Sequence, residues 1–152
     1  MLARTPSDTR LLIPGLAGFY GWAPEVGYLL LRVTIGGILF VHGWMKVQAG
    51  FDAEVGFFVK VGFVLPVLCA FAVIFLETVA AACVALGLFT RFFSAALAIQ
   101  MLVILITAHW AKGFSVGAGG YEYVLLLGMV YFYIALRGGG RYSLDAKLGK
   151  EL

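Results

Sequence analysis

Charged residues are scarce in this chain. Asp, Glu, Lys and Arg make up 12% of its 152 residues, whereas 62% are hydrophobic. Soluble globular domains contain about 25% charged residues, so we expect a membrane protein with no soluble catalytic domain. Its chemistry would then take place in the membrane, at the membrane surface or on a partner chain. The net charge of +3 does not indicate a nucleic-acid partner, because the basic residues lie at the ends of apolar segments rather than in one patch.

Residues that bind metals or form redox centres are also few. Cys69 and Cys83 lie fourteen residues apart in one apolar segment. This is about 21 Å along a helix, whereas a disulfide requires Cα atoms within about 7 Å. The two histidines, His42 and His109, belong to no HxxxH or ExxH motif, and the sequence has no CxxC. We therefore expect no metal site, no thiol redox centre and no covalently bound cofactor.

Long apolar runs, by contrast, are abundant. A helix of about 20 apolar residues crosses the roughly 30 Å hydrocarbon core of a bilayer. Four such spans are predicted, at about 27–46, 66–88, 92–110 and 121–137. Their short connections predict an all-α fold, an integral membrane antiparallel four-helix bundle that forms a single domain over residues 1–152.

Two segments outside these spans are predicted to lie at the membrane surface. Leu11 to Pro24 is rich in aromatic residues typical of the membrane interface and is interrupted by proline and glycine. Residues 48–62 are too polar to cross the membrane. Their apolar residues follow helical spacing after Asp52, a candidate N-cap, and predict a short interfacial helix between spans one and two.

Four crossings place both termini on one side of the membrane. Seven basic residues lie at the span ends or in the connections on that side and three on the other side. The positive-inside rule therefore predicts that both termini are cytoplasmic and that the protein lies in the cell (inner) membrane. Residues 138–152 then form a cytoplasmic tail, in which Ser143 and Asp145 are candidate caps of a short helix. The two basic sets are Arg4, Arg10, Arg91, Arg137, Arg141, Lys147 and Lys150, and Lys46, Lys60 and Lys112.

Arg32 and Glu77 are the charged residues that lie well inside the predicted spans. A charged side chain at membrane depth costs about 2.5 kcal/mol or more, so each is expected to have a partner. The Cα depths of the two residues differ by about 5 Å, which an arginine side chain can reach across. The sequence therefore predicts an Arg32–Glu77 ion pair, serving either to fix helix register or to bind a ligand.

A second polar group lies toward the extracytoplasmic ends of the spans. His42, Lys46, His109 and Glu122 all fall there, on spans one, three and four, and predict a polar pocket just inside that surface. Gln100 is nine residues from His109, about 180° around a regular helix, so only one of these two is expected to face the centre. The alternative is that these side chains cap helices or anchor them at the interface.

The order of the polar, glycine and aromatic residues is more specific than any one of them. The ordered set is Arg32, Phe40, His42-Gly43, Lys46, Phe57-Phe58, Pro66, Glu77, Gly87, Thr90-Arg91, His109, Gly113-Phe114, Glu122 and the segment from Gly139 to Asp145. This order resembles the DoxX family of small four-helix membrane proteins, related to the DoxD subunit of thiosulfate:quinone oxidoreductase. The resemblance covers residues 28–145, nearly the whole chain.

The resemblance implies a redox-linked membrane subunit that binds quinone or a similar small apolar ligand and works with a partner oxidoreductase. Two other interpretations stay open: a non-catalytic scaffold or anchor that recruits a partner protein through the tail, and a small-solute carrier. A second copy of the chain is a further candidate partner. No catalytic residue is assigned, and the candidate ligand-binding residues are Arg32, His42, Lys46, Glu77, His109 and Glu122.

Overall fold

The structure, a computed structural model, describes residues 11–151, and every regular element in that part of the chain is helical. The all-α prediction is confirmed. The α-helices are α1 (Ala17–Ala49), α2 (Phe51–Val61), α3 (Pro66–Phe75), α4 (Ala81–Leu86), α5 (Thr90–Ile104), α6 (Glu122–Arg137) and α7 (Leu144–Leu148). Two π-helical turns, Leu76–Ala80 and Leu105–His109, and three short 3₁₀ turns, Pro14–Leu16, Trp110–Lys112 and Val116–Ala118, complete the set.

Three helical segments are long and apolar enough to cross a membrane. They are Pro14–Ala49, Pro66–Leu86 and Thr90–Lys112, with 36, 21 and 23 residues. They agree with the first three predicted spans, except that the first begins earlier. α6 matches the fourth predicted span but has 16 residues.

The N-terminal part of α1 differs from the prediction. Leu11 to Pro24 was expected to form a separate segment, but α1 is continuous from Ala17 and contains Pro24. A proline removes one helical hydrogen bond without having to end the helix, and here the residues on both sides continue it.

α2 confirms the short helix predicted between the first two long helices. Its N-cap is Gly50, with φ +96°, rather than Asp52, which lies in the first turn. A left-handed Gly62 ends the helix, in agreement with the preference of such ends for glycine.

Neighbouring long helices run antiparallel, as polar contacts at both ends show. At one end, here called the tail side, Arg32 of α1 donates to the carbonyl of Val84 in α4. At the opposite end, the loop side, Lys46 of α1 bonds to Glu77 in the first π turn. α5 and α6 are antiparallel too, because Arg91 donates to the carbonyl oxygen of Leu136 on the tail side.

The C-terminal residues fold back onto the tail side instead of extending away from it. Ser143 is the N-cap of α7 and accepts from Ala146 N at 3.0 Å, as predicted. Asp145 is buried and accepts hydrogen bonds from the backbone N–H groups of Phe89 and Thr90 and from the Thr90 hydroxyl, at 2.8, 2.9 and 2.7 Å. Because Phe89 provides no side-chain cap for α5, Asp145 caps that helix from a distant part of the sequence.

Candidate functional site

A cavity of 440 Å³ opens on the loop side between α2, α3 with its π turn, and α5 with its π turn. Its walls are mostly apolar and include three aromatic residues of α2 and the turn that follows it, Phe57, Phe58 and Phe63. Polar atoms come from a small set of lining residues, namely Lys46, Glu54, Glu77, Gln100, Thr107 and His109. Apolar walls with a few convergent polar groups are typical of small-molecule sites.

Glu77 is the centre of this polar set. Its side chain is only 2% exposed, and both carboxylate oxygens have partners. Gln100 Nε2 donates to Oε1 at 2.7 Å, and Lys46 Nζ forms the ion pair with Oε2. Helix α1 can come this close because Gly43 has no side chain: a Cβ there would lie 2.6 Å from the Glu77 carbonyl oxygen.

His109 lies at the end of the second π turn and also lines the cavity. Its Nδ1 is 2.6 Å from the carbonyl oxygen of Gly119. A carbonyl can only accept a hydrogen bond, so Nδ1 carries the proton and, in the neutral ring, Nε2 is an acceptor. His109 is therefore equipped to accept a hydrogen bond or a proton.

Gln100 and His109 both line this cavity, so the prediction that they face opposite ways is wrong. The reason is the π turn between them, Leu105–His109. Such a turn absorbs one extra residue, and nine residues then rotate by about 80° rather than about 180° around the helix.

One buried polar atom beside the cavity has no hydrogen-bond partner among the described residues. Gln100 is 7% exposed; its amide nitrogen bonds to Glu77, but its Oε1 is unpartnered. An unsatisfied buried acceptor costs roughly 1–3 kcal/mol.

Glu54, on α2, adds a further carboxyl group to the lining. Burial raises the pKa of Glu54 above the ordinary glutamate value; Glu77 acts in the same direction and Lys46 opposes it. Lys46 therefore lies electrostatically between two carboxyl groups, only one of which it contacts within ion-pair distance.

The predicted Arg32–Glu77 pair is wrong. Arg32 is 1% exposed and donates to two tail-side carbonyl oxygens, Val84 O at 3.2 Å and Tyr142 O at 2.6 Å. Val84 is seven residues from Glu77 in the same helical segment, about 10 Å along its axis. The guanidinium therefore bonds to backbone atoms at the opposite end of the molecule from the cavity, and its Nε has no partner among the described residues.

Two other candidate residues do not line the cavity. The residues of α1 that pack inward include Ile35, Leu39 and Gly43. His42 lies at the edge of this row on the helix surface and is exposed. Glu122 is also exposed; its Oε2 accepts from Val116 N at 3.2 Å, so it orders the preceding loop. Of the six predicted residues, the cavity brings together Lys46, Glu77 and His109.

Sequence reasoning missed Glu54 as a cavity residue and placed Gln100 there only as an alternative to His109. A polar amide inside an apolar span was the available signal for Gln100, since such a group needs an internal partner. Glu54 gave a weaker signal, because a carboxylate in the first turn of a helix is ordinarily explained by the helix dipole. Among residues 11–151, no group of three or more His, Cys, Asp or Glu side chains is arranged to hold a metal ion.

Comparison with known proteins identifies the family of this chain. The family model for DoxX matches residues 27–110, which contain most of α1, all of α2 to α5 and the whole polar lining of the cavity. The chain belongs to the DoxX family. With three helices that can cross a membrane, this DoxX protein is a multi-pass membrane protein of the lipid bilayer. Residues 111–152, with α6 and the docked tail, lie outside the match.

A relative of this DoxX chain is named "Putative oxidoreductase CatD" in Bacillus subtilis (strain 168). It is 35% identical over 121 residues, which cover 80% of this chain and 86% of the relative. No solved structure matches the chain.

Proposed function

We propose that this protein is a redox-linked membrane subunit whose loop-side cavity binds a quinone or a similar small apolar ring. An oxidoreductase partner would exchange electrons with the bound ring. The name of the Bacillus subtilis relative supports the redox assignment, and the cavity supports the ligand class.

The observation that carries the proposal is the division of the cavity into apolar walls and one polar cluster. Its volume of 440 Å³ falls in the range of about 300–1,000 Å³ that is usual for small-molecule sites. Aromatic side chains such as Phe58 and Phe63 suit a flat ring. Lys46, Gln100 and His109 offer hydrogen bonds to oxygen substituents of that ring.

A quinone, when bound, would accept two electrons and two protons, and the partner enzyme would supply the electrons. The residues of this chain position the ring and deliver the protons. Lys46 Nζ, held by Glu77, would give one proton to a ring oxygen. His109 Nε2, fixed by the bond of Nδ1 to Gly119, would take a proton from the aqueous phase and pass it on as the second.

The proposed membrane arrangement has four crossings, with α6 as the fourth, and both termini in the cytoplasm. α6 runs antiparallel to α5, with Trp110 stacked on Tyr121 at the loop side, their ring centroids 5.2 Å apart. The basic residues Arg91, Arg137 and Arg141 lie toward the tail side, which supports a cytoplasmic position for that end. The cavity then opens toward the extracytoplasmic half of the inner membrane.

The test is native mass spectrometry of the protein in mild detergent, followed by organic extraction of anything bound. We expect a ring compound at about one per chain. Val73 lines the cavity, so Val73→Phe places a larger side chain there and should abolish retention of the ring compound. Val79→Phe is the matched control, because Val79 lies on the same helical segment, is 48% exposed and is not part of the lining.

Two outcomes would contradict the proposal. Protein that carries a partner chain but no ring compound would favour the scaffold interpretation. Equal retention in the Val73→Phe and Val79→Phe variants would show that the ligand binds elsewhere on the molecule.

A further inference from the structure

The ionisable side chains that line the loop-side cavity do not balance in charge. They are Lys46, Glu54, Glu77 and His109. An ordinary histidine is neutral above about pH 7, so one positive charge stands against two negative charges and one carboxylate is in excess. The protein as a whole has a net charge of +3, so the negative excess is a local property of the cavity.

Glu54 supplies the excess charge, because Glu77 is already paired. Lys46 Nζ and Gln100 Nε2 bond to the two carboxylate oxygens of Glu77. Three ion pairs form within residues 11–151, and Glu54 takes part in none of them. The Glu54 side chain is half-buried, and burial raises the pKa of its carboxyl group. A cation brought into contact with Glu54 would therefore stabilise its ionised form.

Aromatic rings lie next to this carboxylate. Glu54, Phe57 and Phe58 occupy positions i, i+3 and i+4 of α2, so they share one face of the helix, and all three line the cavity. Phe63, just after α2, lines it as well. The Phe57–Phe58 and Phe58–Phe63 ring centroids are 5.4 and 5.1 Å apart, with interplanar angles of 78° and 81°. Ring faces are electronegative, and clustered aromatic rings are a common means of holding ammonium groups.

We infer that the cavity binds apolar ring compounds that carry a positive charge, such as aromatic ammonium ions. The ring lies among the apolar walls, and the ammonium group contacts Glu54 and the phenylalanine rings of α2. An anionic ring compound is disfavoured, because it meets the excess carboxylate and the lysine of the lining is held by Glu77. This ligand class goes beyond the proposed function, since it requires neither a quinone nor a redox partner. It also gives the small-solute carrier interpretation a chemical class of solute.

The experiment compares three probes that share a benzyl group and differ in the charge of a tetrahedral head: benzyltrimethylammonium, its neutral carbon isostere neopentylbenzene, and the anion phenylmethanesulfonate. Binding is measured by equilibrium dialysis against protein-free micelles of the same uncharged detergent, so that partition into detergent is subtracted. A buffer of about pH 8 keeps Glu54 ionised, and about 0.15 M salt screens charges that are more than about 8 Å apart. We expect the cation to bind about tenfold more tightly than the anion, or better.

A pair of charge-matched variants tests the role of Glu54. Glu54→Gln removes the charge but keeps the shape of the side chain. It should weaken the binding of benzyltrimethylammonium about tenfold and leave the binding of neopentylbenzene unchanged. Asp52→Asn is the control, because it removes the same charge from the first turn of the same helix, whereas Asp52 is exposed and is not part of the cavity lining. It should leave the binding of both probes unchanged.

A second pair of variants tests whether the cation lies in the cavity. Val73→Phe places a larger side chain in the lining and should abolish the binding of benzyltrimethylammonium. Val79→Phe, on the exposed side of the same helical segment, should not. If Glu54→Gln does not fold, this pair and the three probes on the wild-type protein still decide the question.

The outcomes separate this inference from the proposed function. Binding of the cation no tighter than that of the anion would overturn the inference, as would equal effects of Glu54→Gln and Asp52→Asn or unchanged binding in Val73→Phe. A ring compound that co-purifies with the protein would still support the proposed function in each of these cases. Conversely, selective cation binding by a protein from which no ring compound can be extracted would support the inference and count against the proposed function.

Discussion

Removing Lys46 alone is expected to destabilise the protein, and removing Glu77 as well is expected to restore it. Lys46→Met leaves the Glu77 carboxylate, 2% exposed, with Gln100 as its remaining partner. Breaking a fully buried ion pair from one side costs about 3–5 kcal/mol. Lys46 is 28% exposed, so solvent screens the pair, and we expect a loss of about 2 kcal/mol.

The double variant Lys46→Met with Glu77→Gln leaves no lone charge. Its stability should return to within about 1 kcal/mol of wild type, because a neutral amide costs much less to bury than a carboxylate. The coupling energy between the two sites is then about 2 kcal/mol, which corresponds to a shift of about 4–8 °C in midpoint temperature for a chain of this size. Thermal unfolding of the four proteins in one detergent, followed by intrinsic fluorescence, measures it.

A matched pair of variants uses Arg32, which the sequence analysis predicted as the partner of Glu77. Arg32→Met loses the bonds to Val84 and Tyr142, so it is destabilising on its own. Adding Glu77→Gln should give a simply additive result, because the two side chains share no contact. Rescue of Arg32→Met by Glu77→Gln, or its failure in the Lys46→Met background, would refute the assignment of partners.

Two further substitutions test the packing that positions the cavity. Asp145→Ala leaves three donors at the start of α5 without their acceptor, including both donors of Thr90. It should lower the free energy of unfolding, measured with urea, by about 3 kcal/mol. An unchanged free energy of unfolding would show that the tail is not docked. Gly43→Ala places a Cβ 2.5 Å from the backbone of Glu77 and should destabilise by about 1–3 kcal/mol. Gly37→Ala, with open space around it, should be neutral, and equal melting temperatures for the two alanine variants would contradict the close helix contact.

The helices could be predicted from the sequence because they are long apolar runs bounded by residues that typically start or end a helix. Pro66 at the first turn and left-handed Gly87 at the end bound the second long segment, and both are signals that a sequence displays directly. Ser143 likewise caps α7 as expected. In each case a few neighbouring residues determine the outcome.

Side-chain partners were not predictable in the same way. Counting residues from the ends of the predicted spans gave Arg32 and Glu77 similar depths in the membrane. Such a count does not tell in which direction a side chain points. The acceptors that Arg32 uses are backbone carbonyls, one of them on the returning tail at Tyr142, and any residue can provide a carbonyl. Asp145, expected to cap the tail helix, instead caps α5 through Phe89 and Thr90, a contact between residues far apart in the sequence.

The π turns explain both the remaining error and the position of the cavity. An assumed 3.6-residue period put His109 and Gln100 on opposite faces, whereas the extra residue in Leu105–His109 turns both toward the cavity. Glu77 lies in the other π turn, Leu76–Ala80. π turns are rare and occur frequently at functional sites. A regular α-helix is more stable than a π turn, so a π turn persists where the changed direction of its side chains serves a function. Both such turns in the described chain carry an ionisable residue that lines the same cavity, whereas Arg32 lies in regular helix and does not line it. This favours the loop-side cavity as the functional site and indicates that Arg32, with its bonds to Val84 and Tyr142, serves the folding of the tail side.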